Sequence, residues 1–261
     1  MSGYRELLEK ELVEAWRTYR FAGVVGLLLV AGIVSVVFVR YLPAAVRLFA
    51  PPDYEIGLPP MELADVVAHL IRTLVGLGSS LAILVAMGSV ARERERGTAA
   101  AVLTRPVSRA AFLAAKWMAL ATLFAVGIGL AVLGAWLYAG LLFDPPSVGP
   151  WVEMGLIVWL ATMVQASITF VGSTVLGSSL AAGGFGLLGW LGLSLAAAVP
   201  TLAPWLPSGL PEVAMSAALQ ETSIDLDPVR TMTVSIAVIG ACLVVAWLAF
   251  RRQELGGGPS G

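Results

Sequence analysis

The chain has 261 residues, 58 % of them hydrophobic and only 13 % charged, with a net charge of −1 and a mean hydropathy of +0.88. A water-soluble domain usually carries about 25 % charged residues, and here the charges gather in short segments between long charge-free runs. A soluble globule is therefore excluded, and an all-α polytopic membrane protein is expected: six transmembrane helices, an N-terminal interfacial helix, and both termini cytoplasmic.

Residues 4–20 are charged but periodic. Tyr4, Leu8, Leu12, Ala15, Trp16 and Tyr19 fall on one helical face, and Glu6, Lys10, Glu14 and Arg17 on the other. Such a helix, followed at once by a span, suits the cytoplasmic interface, where Trp16 and Tyr19 would sit at headgroup level. The competing reading is a short amphipathic helix packed on another protein. A signal peptide is a poor reading of the first apolar run, because acidic residues precede it and the run is long for that role.

Charge-free runs place the spans at about 21–39, 73–91, 117–141, 154–177, 184–203 and 231–250. Met154–Pro211 is too long for one helix. Its turn is expected at Ser178–Gly184, where serines and paired glycines weaken a helix. Residues 40–72 form a proline-broken loop whose end, Met61–Arg72, regains helical spacing and leads into span two. The segment 204–230 is broken by four prolines and leaves room for a short helix over Glu212–Gln220. The tail 256–261 reads as flexible.

Lysine and arginine sit asymmetrically. Twelve fall in the N-terminal segment, the 92–116 loop and the C-terminal tail, and four in the opposite loops. The richer side is the cytoplasmic one.

Several chemistries are missing. The only lysines, Lys10 and Lys116, are followed by Glu11 and Trp117, so the chain holds no P-loop. The apolar runs lack the carboxylates and histidines of a proton relay. His69, the single histidine, lies in an outer segment, and neither a catalytic role nor a metal site is expected for it. The lone Cys242 reads as a small packing residue. No catalytic residue is expected. Span four carries a polar stripe in which Thr162, Gln165 and Thr169 share a face; these either bond neighbouring helices or line a substrate path.

The 92–116 loop carries the most specific signal. Alternating charges, Arg92-Glu93-Arg94-Glu95-Arg96, run into Gly97-Thr98. An apolar stretch follows, then Arg105-Pro106-Val107-Ser108-Arg109, with Ser108 placed to cap a helix, and Lys116 enters the next span. The charge run is either a solvated positive flank or a knob for docking a soluble partner.

This pattern, E-x-E-x-G-T followed by [KR]-P-[VI]-S-R and a lysine, resembles the type-two ATP-binding-cassette (ABC) export permeases. Lys10-Glu11-Leu12 with Trp16-Arg17-Thr18 resembles that family's opening helix. Leu58–Arg72 resembles members grouped with the copper-processing permease of nitrous-oxide reductase maturation, although no cysteine or methionine cluster marks a copper path. The resemblance covers the whole chain as a single permease domain. It implies that residues 4–20, including Leu8, Leu12, Trp16 and Tyr19, form an elbow helix. It also implies that the segment from Arg92, with Glu93, Arg94, Glu95, Arg96, Gly97 and Thr98, couples to a separate cytosolic ATPase. ATP and Mg would be bound by that ATPase rather than by this chain. A second permease chain would complete a homodimer or heterodimer in the plasma membrane, moving substrate, in the export direction. A non-transporting membrane scaffold, an ion-driven carrier and a membrane-embedded enzyme are the alternatives.

Overall fold

The structure is a computed structural model that describes residues 2–49, 60–95, 108–199, 201–202, 205–220 and 226–252. Every regular element among them is helical. Six helices are long and apolar enough to cross a membrane.

Helix α1 (Ser2–Arg17) is followed by a sharp corner at Thr18–Tyr19 and by α2 (Arg20–Phe49). Tyr19 adopts the left-handed conformation, with φ of 56°. Thr18 Oγ1 donates back to the Glu14 carbonyl at 2.7 Å, which satisfies one of the carbonyls that a helix end leaves without a partner. Helix α1 lies against a later span, α5 (Arg109–Leu142). Its Leu8 and Leu12 are half-buried, whereas Trp16 and Tyr19 stay 67 % and 81 % exposed. Trp16 meets Phe21 across the corner, with ring centroids 5.2 Å apart.

Helix α3 (Leu63–Ala86) starts with a capping box in which the Glu62 amide donates to Asp65 Oδ2 at 2.9 Å. It breaks at Met87–Val90 and resumes for one turn as α4 (Ala91–Glu95). Helix α5 begins behind Ser108, whose hydroxyl accepts from the Ala111 amide at 3.1 Å, as the sequence suggests. It leads to α6 (Val148–Val175) and α7 (Ser179–Ala197). A 3-10 turn (Pro207–Gly209) and α8 (Leu210–Leu219) precede the last span, α9 (Pro228–Arg252).

Most helices outrun the apolar stretches that announce them. Helix α2 continues through Pro43, which was expected to break the outer loop. Each turn of a helix adds internally paired backbone, and one proline removes a single donor. Helix α6 starts six residues before the expected 154, with Pro150 in its first turn, where its missing N–H costs no bond. His69 lies within α3, stacked on Phe38 at 5.1 Å, and not in a loop.

The turn between spans four and five is also displaced. It occupies Leu176–Ser178, and Gly183 and Gly184 lie inside α7. Glycine weakens a helix in water, but hydrocarbon offers the backbone no other partner. Here two glycines of α7 serve as contacts: Gly183 faces Met87, and Gly186 touches Thr169, while a Cβ on Gly184 would meet nothing within 4 Å.

Helix α6 is the centre of the bundle, touching α3, α5, α7, α8 and α9. Most of α7 and α9 faces outward. Helices α2 and α5 approach closely where Gly32 meets the Ala131 carbonyl, leaving no room for a side chain. Small residues permit such contacts where water supplies no drive for helices to associate.

Candidate functional site

The charged side chains of α1, α4 and α5 converge at one end of the bundle. Lys116, about two turns into α5, is only 4 % exposed. Its Nζ donates to Glu11 Oε1 of α1 at 2.9 Å and to Glu93 Oε1 of α4 at 2.8 Å. Both carboxylates are 16 % exposed. Lys10 approaches Glu93 at 3.8 Å, and Lys116 also rests 5.0 Å above the Phe112 ring. One ammonium thus joins three helices. Charge-assisted bonds of this kind are short and strong, and the pairing keeps the burial of a lysine tolerable.

The α3–α4 break is held by one hydroxyl. Ser173 Oγ of α6 accepts from the Val90 and Ala91 amides at 3.0 and 3.1 Å and donates to the Met87 carbonyl at 2.9 Å. These amides sit at the N-terminal edge of α4, where no intrahelical acceptor exists.

The remaining charges of α4 reach the neighbouring helix ends. Arg94 Nη1 donates to the Thr174 carbonyl at 3.1 Å, at the last turn of α6. Glu95 Oε1 accepts from the Ser179 amide at 2.7 Å, and its Oε2 from the Ser179 hydroxyl at 3.0 Å. A cation therefore sits on a helix C-terminus and an anion on a helix N-terminus, each the sign that the helix dipole favours. Across the bundle, Arg109 Nη1 donates to the Phe250 and Arg251 carbonyls at 3.2 and 2.8 Å, at the end of α9.

The alternating run thus divides by function. Glu93, Arg94 and Glu95 clip α4 to the rest of the bundle. The Arg92 guanidinium lies over Gly88, close enough that a Cβ there would crowd it. Arg96, Gly97 and Thr98 lie outside the described residues. In α1, Leu8 and Leu12 turn inward and Trp16 turns outward, as does Tyr19 in the corner that follows. Neither Glu11 nor Lys116 was singled out as a partner of the other from sequence; they stand 105 residues apart. A lone lysine near the mouth of an apolar span, with glutamates on two other helices, was the available signal.

The polar stripe of α6 is buried inside the chain. Thr162 Oγ1 donates to the Val158 carbonyl at 3.0 Å and packs on Gly78 of α3. Gln165 Nε2 donates to the Gly186 carbonyl of α7 at 2.9 Å, and Thr169 Oγ1 to the Gln165 carbonyl at 3.0 Å. Ser167 accepts from Trp117 Nε1 at 3.0 Å. These bonds knit α6 to α5 and α7, and Gln165 also borders a cavity of about 180 Å³ near the 3-10 turn.

Among the described residues, no group of three or more His, Cys, Asp or Glu side chains is placed to hold a metal ion.

The comparisons with known proteins agree with this architecture. An uncharacterized transmembrane protein of Bacillus subtilis (strain 168), YxlG, is 28 % identical over 257 residues, covering 95 % of this chain and 97 % of that protein. The family model of the ABC-2 family transporter proteins matches residues 6–255. With nearly its whole length matched, the chain belongs to the ABC-2 transporter family.

Proposed function

We propose that the chain is the membrane-spanning permease subunit of an ABC transporter. It exports a substrate across the plasma membrane, driven by ATP hydrolysed, with Mg, on a separate cytosolic ATPase. The observation that carries this reading is the family match over residues 6–255. Permeases of the family are membrane transport subunits that generally work with a cytosolic ATPase. A second permease chain, identical or not, completes the path. The end of the bundle that holds α1 and α4 is the cytoplasmic one, which the distribution of lysine and arginine supports.

The site geometry supports a route for coupling. The segment beginning at Arg92 meets the ATPase. Movement imposed there passes through Glu93 to Lys116 and Glu11, and through Arg94 and Glu95 to the α6–α7 corner. ATP then shifts the bundle between two access states by its different affinity for them. Elbow helix α1 is drawn in through Glu11, with Trp16 and Tyr19 facing the headgroups.

A pull-down tests the reading. The tagged chain is solubilised from its native membrane in mild detergent, as wild type and as the Glu93→Ala/Glu95→Ala variant. A P-loop ATPase that co-purifies with the wild type, and is lost or reduced with the variant, supports both the function and the coupling site. Absence of any ATPase in several detergents would overturn the reading in favour of a scaffold or an ion-driven carrier.

A further inference from the structure

Between α1, the α2 N-terminus, the α3–α4 break and α5 lies a cleft of about 280 Å³. Its polar lining is Lys10, Glu11, Glu14, Arg20, Ser89, Arg92, Glu93 and Lys116, so four cations face three carboxylates. Two of the carboxylates, Glu11 and Glu93, are taken up by Lys116, and Lys10 leans on Glu93 at 3.8 Å. Arg20 and Arg92 make no ion pair or hydrogen bond among the described residues, although both are half-buried. Glu14, exposed on α1, is the one remaining carboxylate. The cleft is left with a single surplus positive charge, carried by two guanidiniums.

Its position is as informative as its charge. Arg20 is the first residue of an apolar span. Trp16 and Tyr19, about one turn or less before it, are exposed, and aromatic side chains favour the level of lipid headgroups. The Arg92 guanidinium can lie in the cleft because Gly88 leaves the space beneath it open. Partly desolvated guanidiniums without partners favour an anion with several acceptor oxygens, and phosphate matches the guanidinium fork.

We propose that this cleft binds the phosphate of an anionic phospholipid from the adjoining leaflet, gripped by Arg20 and Arg92. One negative charge on the phosphodiester cancels the surplus. The apolar surface flanking the cleft mouth on α1 and α2 receives the upper part of the acyl chains. The inference requires only that the chain is embedded in lipid, and it stands or falls separately from the coupling to an ATPase.

The test is native mass spectrometry of the purified full chain in detergent, titrated with phosphatidylglycerol or with phosphatidylcholine. The wild type should retain one phosphatidylglycerol about tenfold more tightly than phosphatidylcholine, the ratio expected when one charge-assisted contact is at stake. Arg20→Gln/Arg92→Gln should lose that preference, and Arg20→Lys/Arg92→Lys should keep a preference for phosphatidylglycerol. Melting in lipid-free detergent verifies that each variant is folded. Arg5→Gln/Arg17→Gln, which removes exposed charge outside the cleft, should retain the tight lipid. Equal retention of the two lipids by the wild type would overturn the proposal, as would an equal loss in the Arg5/Arg17 variant. Displacement of the lipid by millimolar inorganic phosphate would assign the cleft to a soluble anion and overturn the lipid reading.

Discussion

Replacing Lys116 by methionine keeps most of the side chain's length and apolar stem and removes only its charge and donors. Two carboxylates, each 16 % exposed, then face one another without the ammonium that lies 2.8–2.9 Å from both. Removing one partner of a fully buried ion pair costs about 3–5 kcal/mol. Glu11 and Glu93 border a cleft and keep some access to solvent, and Lys10 can move toward Glu93 from 3.8 Å. The expected loss is therefore smaller, about 2–3 kcal/mol. The triple variant Lys116→Met/Glu11→Gln/Glu93→Gln strands no charge and should lie within about 1 kcal/mol of the wild type. Unfolding in mixed micelles titrated with sodium dodecyl sulfate, followed by tryptophan fluorescence, measures both. If the triple variant is as unstable as Lys116→Met, the loss comes from packing, and the reasoning from stranded charge is refuted. If Lys116→Met matches the wild type, the node contributes nothing to stability.

Two further outcomes follow from packing and hydrogen bonding. Ser173→Ala leaves the Val90 and Ala91 amides without their acceptor inside the protein, at an expected cost of about 1–3 kcal/mol. Hydrogen exchange should quicken at those two amides above all others, and unchanged exchange there would show that the hydroxyl does not hold the break. Gly32→Ala pushes a Cβ into the Ala131 carbonyl, backbone that cannot yield, whereas the Cβ of Gly26→Ala meets nothing within 4 Å. The first should destabilise by about 1–3 kcal/mol and the second should melt like the wild type; equal melting of the two would disprove the close approach of α2 and α5.

The spans were legible because burial in lipid demands what sequence displays directly, long runs without charge. Their ends were not, because a helix continues beyond the hydrocarbon wherever its backbone bonds remain favourable, as α2 does through Pro43. Gly183 and Gly184 misled for a related reason. In water they signal a turn, but in this bundle both continue a helix, and Gly183 is surface that Met87 approaches. The candidate site was half legible. Alternation of charge marked Arg92–Glu95 as unusual, but alternation along a chain says nothing about which residues a short helix turns inward. The partners of Glu93, Arg94 and Glu95 lie 23, 80 and 84 residues away, and only the fold brings them together. Periodicity marked Thr162, Gln165 and Thr169 as a polar stripe, but their neighbours, Gly78 of α3 and Gly186 of α7, could not be read from it.

The Glu11–Lys116 contact also bears on how the protein is made. Helix α1 leaves the ribosome well before the lysine that anchors it, which follows 105 residues later. At typical synthesis rates that interval is roughly 5–20 s. Through it, Glu11 has no buried partner, and α1 has only its own two-sided character to keep it in place. The helix must wait while two spans, α2 and α3, are made after it. It is translated first and fastened late, and the third span fastens it.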